Sequence, residues 1–436
     1  MSKSKSRKRR NRYKIQPLGF VALGLILLII IALVVFLVVR PKADGSSSGN
    51  AGADILAEAT DMPEETEVLE TPEPTPEPTP VPTPEPTPRS ATIRSLGEIA
   101  IQDNLLKAAR GDDGSYDFSE MFSYISESMG GADYTIADVE GSLGGSSDPA
   151  GDERLLTPPS LIQTLKDCGV DMLNLANDHA LDGGFSDLQA AIANCQEAGM
   201  DYVGAATSAT ERDTAKVVDI NGIKVGFVAY TESLNGMEKN AEADALEYGI
   251  NYAAKSDAKA DIQACRDAGA DVIVACVSWG EMLNREPTKN QKKIAQVLVG
   301  YGVDVIIGYN PHVLQPAMWL EMGKSSSATG KTLCILSNGN FLSDSRAKYS
   351  DSGIIFQFTI QEREDLSGFD IVSPQYIPTY VWRMEEGDYD YRTLAVGQWL
   401  DTAPEGMNYT QESRMREVWA EAQSIMGTDV ATITKE

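Results

Sequence analysis

Histidine is nearly absent from this chain, which has two histidines in 436 residues. Cysteine is scarce as well, and its five residues form no CxxC motif and no short-range pairing pattern. An odd number with this spacing argues against a disulfide framework, so we expect buried free thiols instead. They lie at positions 168, 195, 265, 276 and 334.

Positive charge is scarce beyond the N-terminus. Residues 1–42 contain ten Lys and Arg and no acidic residue, so removing them from the formal net charge of −27 leaves −37 for residues 43–436. This balance argues against nucleic acid as a partner and against a broad polyanion-binding surface, because both require a basic surface. An anionic substrate would need a local cationic patch or a bound metal.

One long apolar run is present, at residues 18–39, and its 22 residues carry no charge. At about 1.5 Å per residue, this run is long enough to cross a hydrocarbon core of about 30 Å. A cleaved signal peptide is the alternative, but its apolar region normally has about 7–15 residues. Eight Lys and Arg lie among residues 1–14, which places the N-terminus in the cytoplasm. We therefore predict a basic cytoplasmic tail (1–17), a single-pass anchor in the cell membrane (18–39) and an extracellular C-terminal domain.

Residues 40–90 are predicted to form an extracellular linker. Proline occupies every second position from 72 to 88. Such a segment buries no core and favours the extended polyproline II conformation, at about 3.1 Å per residue. The linker is expected to hold one large domain, residues 91–436, away from the membrane.

The domain alternates apolar strand-like runs with helix-like segments, which is typical of an α/β fold with a mixed sheet or two stacked sheets. Residues 216–231 predict a hairpin, because Asn221-Gly222 supplies the positive φ angles of a tight turn. Residues 353–383 predict further antiparallel strands, and residues 119–131 predict a helix.

Polar side chains follow six of the predicted strands. In open α/β sheets, ligands bind beyond the carboxyl ends of the strands. Carboxylates, amides and both histidines at such ends are the composition of a mononuclear or binuclear metal site. Taken singly, each has a structural explanation, as a turn-forming residue or a core histidine. The six ends carry Glu98, Glu140, Asn177-Asp178-His179, Ser278-Trp279-Gly280-Glu281, Asn310-Pro311-His312 and Asn338-Gly339-Asn340.

These stretches resemble the CapA family of membrane-anchored capsule and poly-γ-glutamate synthesis proteins, whose domain is similar to calcineurin-like metallophosphatases. The similarity runs over most of residues 91–345 and includes "ADVEGSLGG", "NLANDHALDGG" and "SWGEMLNREPTKNQKKIAQVLVGYGVDVIIGYNPHVLQ". It implies a four-layer α/β/β/α sandwich and a role in making an anionic surface polymer. The implied partners are the membrane, that polymer or its precursor, and other capsule-synthesis membrane proteins.

The resemblance also implies roles for individual residues. His179 would be the general acid, and Glu281 and Asn340 would orient the substrate. The implied metal ligands are Glu98, Glu140, Asp178, Asn310 and His312.

Four positions depart from the family pattern. Glu98 stands where the family has Asp, and Asp178 stands where it has Asn. Ser278 and Asn310 each replace a histidine. Oxygen ligands suit Mg²⁺ or Mn²⁺ better than Zn²⁺, so a divalent metal of that kind is favoured if the site is intact.

Two functional readings follow. An intact site implies a metal-dependent hydrolase or transferase acting on the polymer. A decayed site implies a non-catalytic factor for polymer assembly or export. A plain adhesion module fits the linker but leaves the polar strand ends unexplained.

Overall fold

Two β-sheets pack face to face in the folded domain. The computed structural model describes residues 87–145, 148–322, 330–384 and 390–436. The predicted tail, the predicted anchor and nearly all of the predicted linker lie outside these residues. Within them, no helix combines the length and the apolar character needed to cross a membrane.

The strands occur along the whole described part of the chain. In order, they are β1 (Ser90–Ala100), β2 (Tyr134–Glu140), β3 (Ser142–Leu143), β4 (Ala150–Gly151), β5 (Leu155–Thr157), β6 (Met172–Asn174), β7 (Asp201–Val203), β8 (Lys216–Ile220), β9 (Ile223–Thr231), β10 (Val272–Ser278), β11 (Val305–Tyr309), β12 (Leu314–Glu321), β13 (Lys331–Asn338), β14 (Asn340–Leu342), β15 (Ser352–Glu362), β16 (Phe369–Met384), β17 (Asp390–Ala395) and β18 (Thr432–Ile433).

The helices connect these strands or follow them. They are α1 (Asp103–Ala109), α2 (Ser126–Met129), α3 (Ser160–Asp167), α4 (Phe185–Ala198), α5 (Ala209–Arg212), α6 (Ala258–Asp267), α7 (Lys289–Gly300) and α8 (Tyr409–Met426). Helix α7 begins with a capping box, in which Thr288 and Gln291 satisfy each other's backbone N–H groups.

The first sheet has the strand order β17-β16-β15-β1-β2-β6-β7, with β14 paired to β1 and β18 paired to β16. The second has the order β12-β13-β11-β10-β9-β8, and a small third sheet joins β3, β5 and β4. Strands β1, β2, β6 and β7 are parallel, and so are β9, β10, β11 and β13. The hairpin predicted at residues 216–231 is confirmed as β8 and β9.

Contacts between the two large sheets show that their inner faces meet. The rings of Tyr134 and Phe227 stack with centroids 5.6 Å apart. The Ser95 hydroxyl lies 2.9 Å from the Tyr309 hydroxyl. On the outer face of the second sheet, Ile262 of α6 and Leu298 of α7 pack in a further apolar cluster. The predicted mixed α/β fold is confirmed.

The predicted free thiols are confirmed, since all five cysteines are unpaired. Four of them are buried, and Cys168 is half-buried instead.

The helix predicted over residues 119–131 is wrong as a continuous element. A 3₁₀ turn covers Ser119–Phe122, and the short helix α2 follows it. The Ser123 hydroxyl donates a hydrogen bond of 2.8 Å to the Glu120 carbonyl. Serine side chains compete in this way for backbone groups, which favours helix ends over helix interiors.

The chain around Glu98 departs from the simple expectation that this residue follows a strand. Glu98 lies within β1, where the register with β2 shifts between Ser95 and Glu98. The Glu98 backbone N–H donates to the Gly339 carbonyl at 2.8 Å. A Cβ atom on Gly97 would lie 2.5 Å from that same carbonyl, so only glycine permits this approach. The shifted register of β1 thus brings the turn after β13, which contains Gly339, into contact with Glu98.

Candidate metal centre

A buried carboxylate and histidine cluster lies where strands of both sheets end. Glu98 of β1 and Glu140 at the end of β2 come from the first sheet, and His312 follows β11 of the second. His312 Nδ1 lies 3.3 Å from Glu98 Oε2, and His312 Nε2 lies 3.4 Å from Glu140 Oε1. All three side chains are at least nine-tenths buried. Sequence positions up to 214 residues apart thus converge on one point.

A second cluster shares Glu140 with the first. Each of Glu140, Asp178 and His179 offers a ligand atom within 4.8 Å of the others, as do the three residues of the first cluster. Asp178 and His179 lie in the loop after β6, the next strand of the first sheet. Glu140 therefore belongs to both potential ligand sets.

The loop after β11 presents His312 through an unusual backbone. Asn310 and His312 have positive φ angles of 89° and 57°. Such angles cost free energy for residues other than glycine, and they cluster at functional sites. The Asn310 side chain holds the loop by donating from Nδ2 to the carbonyls of Trp279 and Gly280, each at 3.2 Å.

Asn340 is fully buried and lies beside His312. Its Oδ1 is 3.0 Å from His312 Nδ1, and its Nδ2 donates to the Ser350 carbonyl at 2.8 Å. The sequence analysis gave Asn340 a role in orienting substrate. In the structure, its side chain fixes the orientation of the His312 ring, and its contact with a substrate stays a prediction.

His179 is oriented by Asp182, a residue that the sequence analysis did not select. His179 Nδ1 lies 2.6 Å from Asp182 Oδ2, and His179 Nε2 lies 3.3 Å from Asn235 Nδ2. Asp182 Oδ2 also accepts a hydrogen bond from the Leu155 backbone at 2.8 Å. The three-residue spacing within "HALD" could have indicated this pair. A carboxylate on the far nitrogen fixes the ring and favours its protonated form.

The charges of the cluster perturb one another. Burial raises the pKa of Glu98 to about 8, despite the attraction of His312. Burial alone would also raise the pKa of Glu140, but the charge and hydrogen bond of His312 lower it to about 2. Burial would lower the pKa of His312, whereas Glu140 and Glu98 raise it well above its ordinary value.

In the second cluster, burial, neighbouring charges and hydrogen bonds likewise shift the pKa values. Burial and the charge of Glu140 raise the pKa of Asp178 to about 7. For His179, burial acts downward, but the hydrogen bond with Asp182 and the charge of Glu140 raise the pKa to about 9. Several acids crowded into a buried space with two histidines are costly without a cation that neutralises them.

Two buried oxygen atoms of the site have no hydrogen-bond partner. They are Asp178 Oδ1 and Asn310 Oδ1. A buried acceptor without a donor costs about 1–3 kcal/mol. A divalent cation would satisfy such acceptors, and carboxylate and amide oxygens are the ligands that Mg²⁺ and Mn²⁺ prefer. The residues present therefore fit a divalent metal.

A polar layer beneath the cluster was also missed by the sequence analysis. Asp138, two residues before Glu140, is buried and accepts a hydrogen bond from Asn174 Nδ2. Burial and the charge of Glu98 raise the pKa of Asp138 well above its ordinary value. Its alternation with Glu140 on β2 was a signal, because residues two apart on a strand share a face.

Two residues at the end of β10 lie apart from the ligand sets. Glu281 is exposed, and its Oε2 accepts a hydrogen bond from Asn284 at 3.2 Å. Ser278 is buried at the end of the strand. Glu281 is thus at the rim of the site, outside the buried clusters.

Without metal, the protein is expected to lose stability as pH rises from about 5 to about 9. The folded-state pKa values of Glu98 and His179 lie above their ordinary values of 4.5 and 6.5. Stabilisation from such groups is present below the unfolded-state pKa and is lost as pH rises through the folded-state pKa. Melting curves in chelator test this, and Asp182→Asn should flatten the slope above about pH 6.5. A melting temperature that rises with pH would contradict the charge arrangement.

Comparison with known proteins identifies the family. Residues 92–345 match the model of the "Bacterial capsule synthesis protein PGA_cap" family. The chain is also similar to two curated proteins. It is 26% identical over 203 residues to the capsule biosynthesis protein CapA of Bacillus anthracis, covering 46% of this chain and 47% of that protein. It is 25% identical over 193 residues to the PGA biosynthesis protein CapA of Bacillus subtilis (strain 168), covering 44% and 47%.

Solved structures give weaker similarity. A phosphatase from Mycoplasma pneumoniae superposes with a TM-score of 0.37 and 13% identity, covering 67% of this chain and 94% of the other. The calcineurin-like phosphoesterase YfkN from Bacillus subtilis gives 0.39 and 13%, covering 67% and 91%. The chain spans about half the length of the curated relatives it matches. The family match covers more than half of the chain, and the protein belongs to the PGA_cap family of bacterial capsule synthesis proteins.

Proposed function

We propose that this protein is a metal-dependent hydrolase or transferase that acts on an anionic surface polymer, of the capsule or poly-γ-glutamate type, or on its precursor. The observation that carries the proposal is the pair of buried ligand sets joined at Glu140, with the His179–Asp182 pair beside them. The relatives' names supply the polymer class.

Five residues would hold the metal: Glu98, Glu140, Asp178, Asn310 and His312. Four of them belong to the two clusters that share Glu140, and Asn310 has a buried side-chain oxygen without a hydrogen-bond partner. A bound divalent cation polarises a substrate oxygen and lowers the pKa of water. We favour Mn²⁺ or Mg²⁺ over Zn²⁺, since four of these five ligands supply oxygen.

His179 would donate the proton to the leaving group. Without metal, the hydrogen bond with Asp182 and the charge of Glu140 raise its pKa to about 9, which favours the protonated ring that a general acid requires. Asp182 occupies Nδ1, so Nε2, which lies 3.3 Å from Asn235 Nδ2, is the nitrogen that would donate the proton. Glu281, at the exposed rim, would contact the substrate from outside, while Asn340 positions His312.

The proposal includes the cellular setting. The basic residues 1–14 and the apolar residues 18–39 support a single-pass anchor in the cell membrane, with the N-terminus in the cytoplasm. The catalytic domain would then lie outside the cell, beyond the linker, near other capsule-synthesis membrane proteins. We also propose that its two facing sheets and outer helices form a four-layer sandwich of the metallophosphatase type.

The activity test is hydrolysis by the purified protein with Mn²⁺ or Mg²⁺, using phosphoesters and γ-glutamyl amides as substrates. The expected result is turnover that chelator abolishes and added metal restores. If metal binds and neither substrate class turns over, the hydrolase proposal is wrong.

A second candidate is a non-catalytic factor for assembly or export of the polymer. It is favoured by Ser278 and Asn310, which stand where the family pattern has histidines. This reading is supported if no metal binds and the polymer binds without turnover.

A further inference from the structure

A groove of about 640 Å³ lies between α6 and α7, on the outer face of the second sheet. Its lining includes apolar residues from both layers, among them Val277 of β10 and Ile294 and Leu298 of α7. Val297 and Tyr301, also in the lining, are 41% and 40% exposed. The groove thus offers an apolar surface to something other than the protein's own side chains.

Two lysines, Lys259 and Lys293, line this groove. Neither forms an ion pair within the described ranges. Lys255, Lys289 and Lys292 lie close by in sequence and are likewise exposed and without a recorded ionic partner there. These five lysines form what we call the lysine patch. It is unusual in a protein with a formal charge of −27.

Most arginines elsewhere are neutralised. Arg212 pairs with Asp261 at 2.8 Å, Arg363 pairs with Asp370 at 2.7 Å, and Arg414 pairs with Asp351 at 2.8 Å. The lysine patch therefore differs from the general pattern of this domain, in which acids outnumber and pair the cations.

Two acidic residues line the groove, and both accept hydrogen bonds from neighbouring N–H groups. Glu232 Oε2 accepts from the Gly280 backbone at 3.1 Å, and its other oxygen accepts from Asn290 Nδ2. Asp257 Oδ1 caps α6 by accepting from the Ala260 backbone at 3.1 Å. Within the described residues, neither carboxylate forms an ion pair with Lys259 or Lys293, and the five lysines of the lysine patch outnumber these two acids.

The groove adjoins the candidate metal centre. The Glu232 backbone donates to the Ser278 carbonyl at 2.8 Å, and Asn310 Nδ2 donates to the Gly280 carbonyl at 3.2 Å. Residues 278–280 therefore contact the groove on one side and a proposed metal ligand on the other. A chain held in the groove would extend towards the site.

We propose that this groove docks a carboxylate-bearing polymer chain and delivers it to the metal centre. The proposal rests on the function proposed above and names where the uncleaved part of the polymer binds. Lysine provides a point charge for a carboxylate, whereas sites built for phosphate favour the bidentate fork of arginine, which the groove lining lacks. The apolar lining suits the methylene groups of such a chain.

The test measures binding of a short labelled polyglutamate to the full chain in chelator. Lys259→Gln/Lys293→Gln is expected to raise the dissociation constant about ten-fold at low salt, since two exposed ion pairs are lost. The matched control is Lys166→Gln/Lys224→Gln, which removes two exposed lysines that lie outside the groove and form no ion pair within the described residues. This control should bind as the unaltered protein does.

Three outcomes overturn the docking proposal. Equal weakening by both double variants would show that overall charge, not the groove, governs binding. Tighter binding of polyphosphate than of polyglutamate, or binding only to vesicles of anionic lipid, would assign the lysine patch to another partner. Glu140→Gln separates the two proposals, because it should abolish turnover while polyglutamate binding persists in chelator. The effect of a variant on turnover therefore tests the proposed catalysis, and its effect on polyglutamate binding tests the proposed docking in the groove.

Discussion

Glu140→Gln is expected to abolish the rise in melting temperature that Mn²⁺ gives the unaltered protein. A ligand that binds only the folded state at a hundred times its dissociation constant stabilises that state by about 2.7 kcal/mol. Glu140 contributes to both ligand sets, so its loss weakens both. Glutamine keeps the size of the side chain and removes its charge. The measurement is thermal unfolding with and without Mn²⁺.

Glu362→Gln is the matched control for this experiment. Glu362 is also a buried glutamate, but it is the last residue of β15, whereas the first residues of that strand lie beside Gly339. Glu362 pairs with Arg89 at 2.6 Å. Its loss is expected to lower the melting temperature and leave the response to Mn²⁺ intact. If Mn²⁺ raises the melting temperature of Glu140→Gln as much as that of the unaltered protein, Glu140 is not a metal ligand.

His179→Ala is expected to lower turnover by about 10²–10⁴-fold, the usual contribution of a general acid. The fold should persist, because the side chain lies at the edge of the site with 15% of its surface exposed. Asp182→Asn should give a smaller loss, since it leaves the acid in place and removes the group that raises its pKa. Turnover rates at fixed metal concentration test both variants.

Metal stoichiometry separates two roles for His179, since it also lies within the second ligand set. A general acid predicts that His179→Ala binds as much metal as the unaltered protein. Loss of one equivalent would make His179 a ligand instead. Unchanged turnover would remove it from the mechanism altogether.

The sequence predicted the convergence of the site because parallel strands place their carboxyl ends at one edge. Glu140, Asp178 and His312 follow β2, β6 and β11 as expected, and the structure brings them together. The hydrophobic runs of the strands were sufficient for this inference, because they fix where each strand ends.

Other features depend on contacts between distant segments. Glu98 lies inside β1, and its position depends on a register shift and on the close approach of Gly339. Glu281 follows a strand end, yet its side chain is exposed. Position relative to a strand end therefore does not determine which way a side chain faces.

The contact of Asn340 with His312 also could not be predicted from the sequence. Asn340 follows the end of β13 in the sequence Asn338-Gly339-Asn340, which predicts a ligand or substrate contact equally well. Only the packing of His312 against it, at 3.0 Å, shows that it orients the ring. Partner choice among buried polar groups depends on tertiary geometry, which local sequence does not encode.

Elemental analysis of the purified protein, after dialysis against Mn²⁺ and against Mg²⁺, directly tests whether the buried clusters bind a divalent metal. We expect one or two equivalents of bound metal in the unaltered protein and a loss of metal in Glu140→Gln. Retention of metal by Glu362→Gln would show that the loss is specific to the site. Absence of metal from the unaltered protein under both conditions would contradict the metal centre and leave a polymer-binding role.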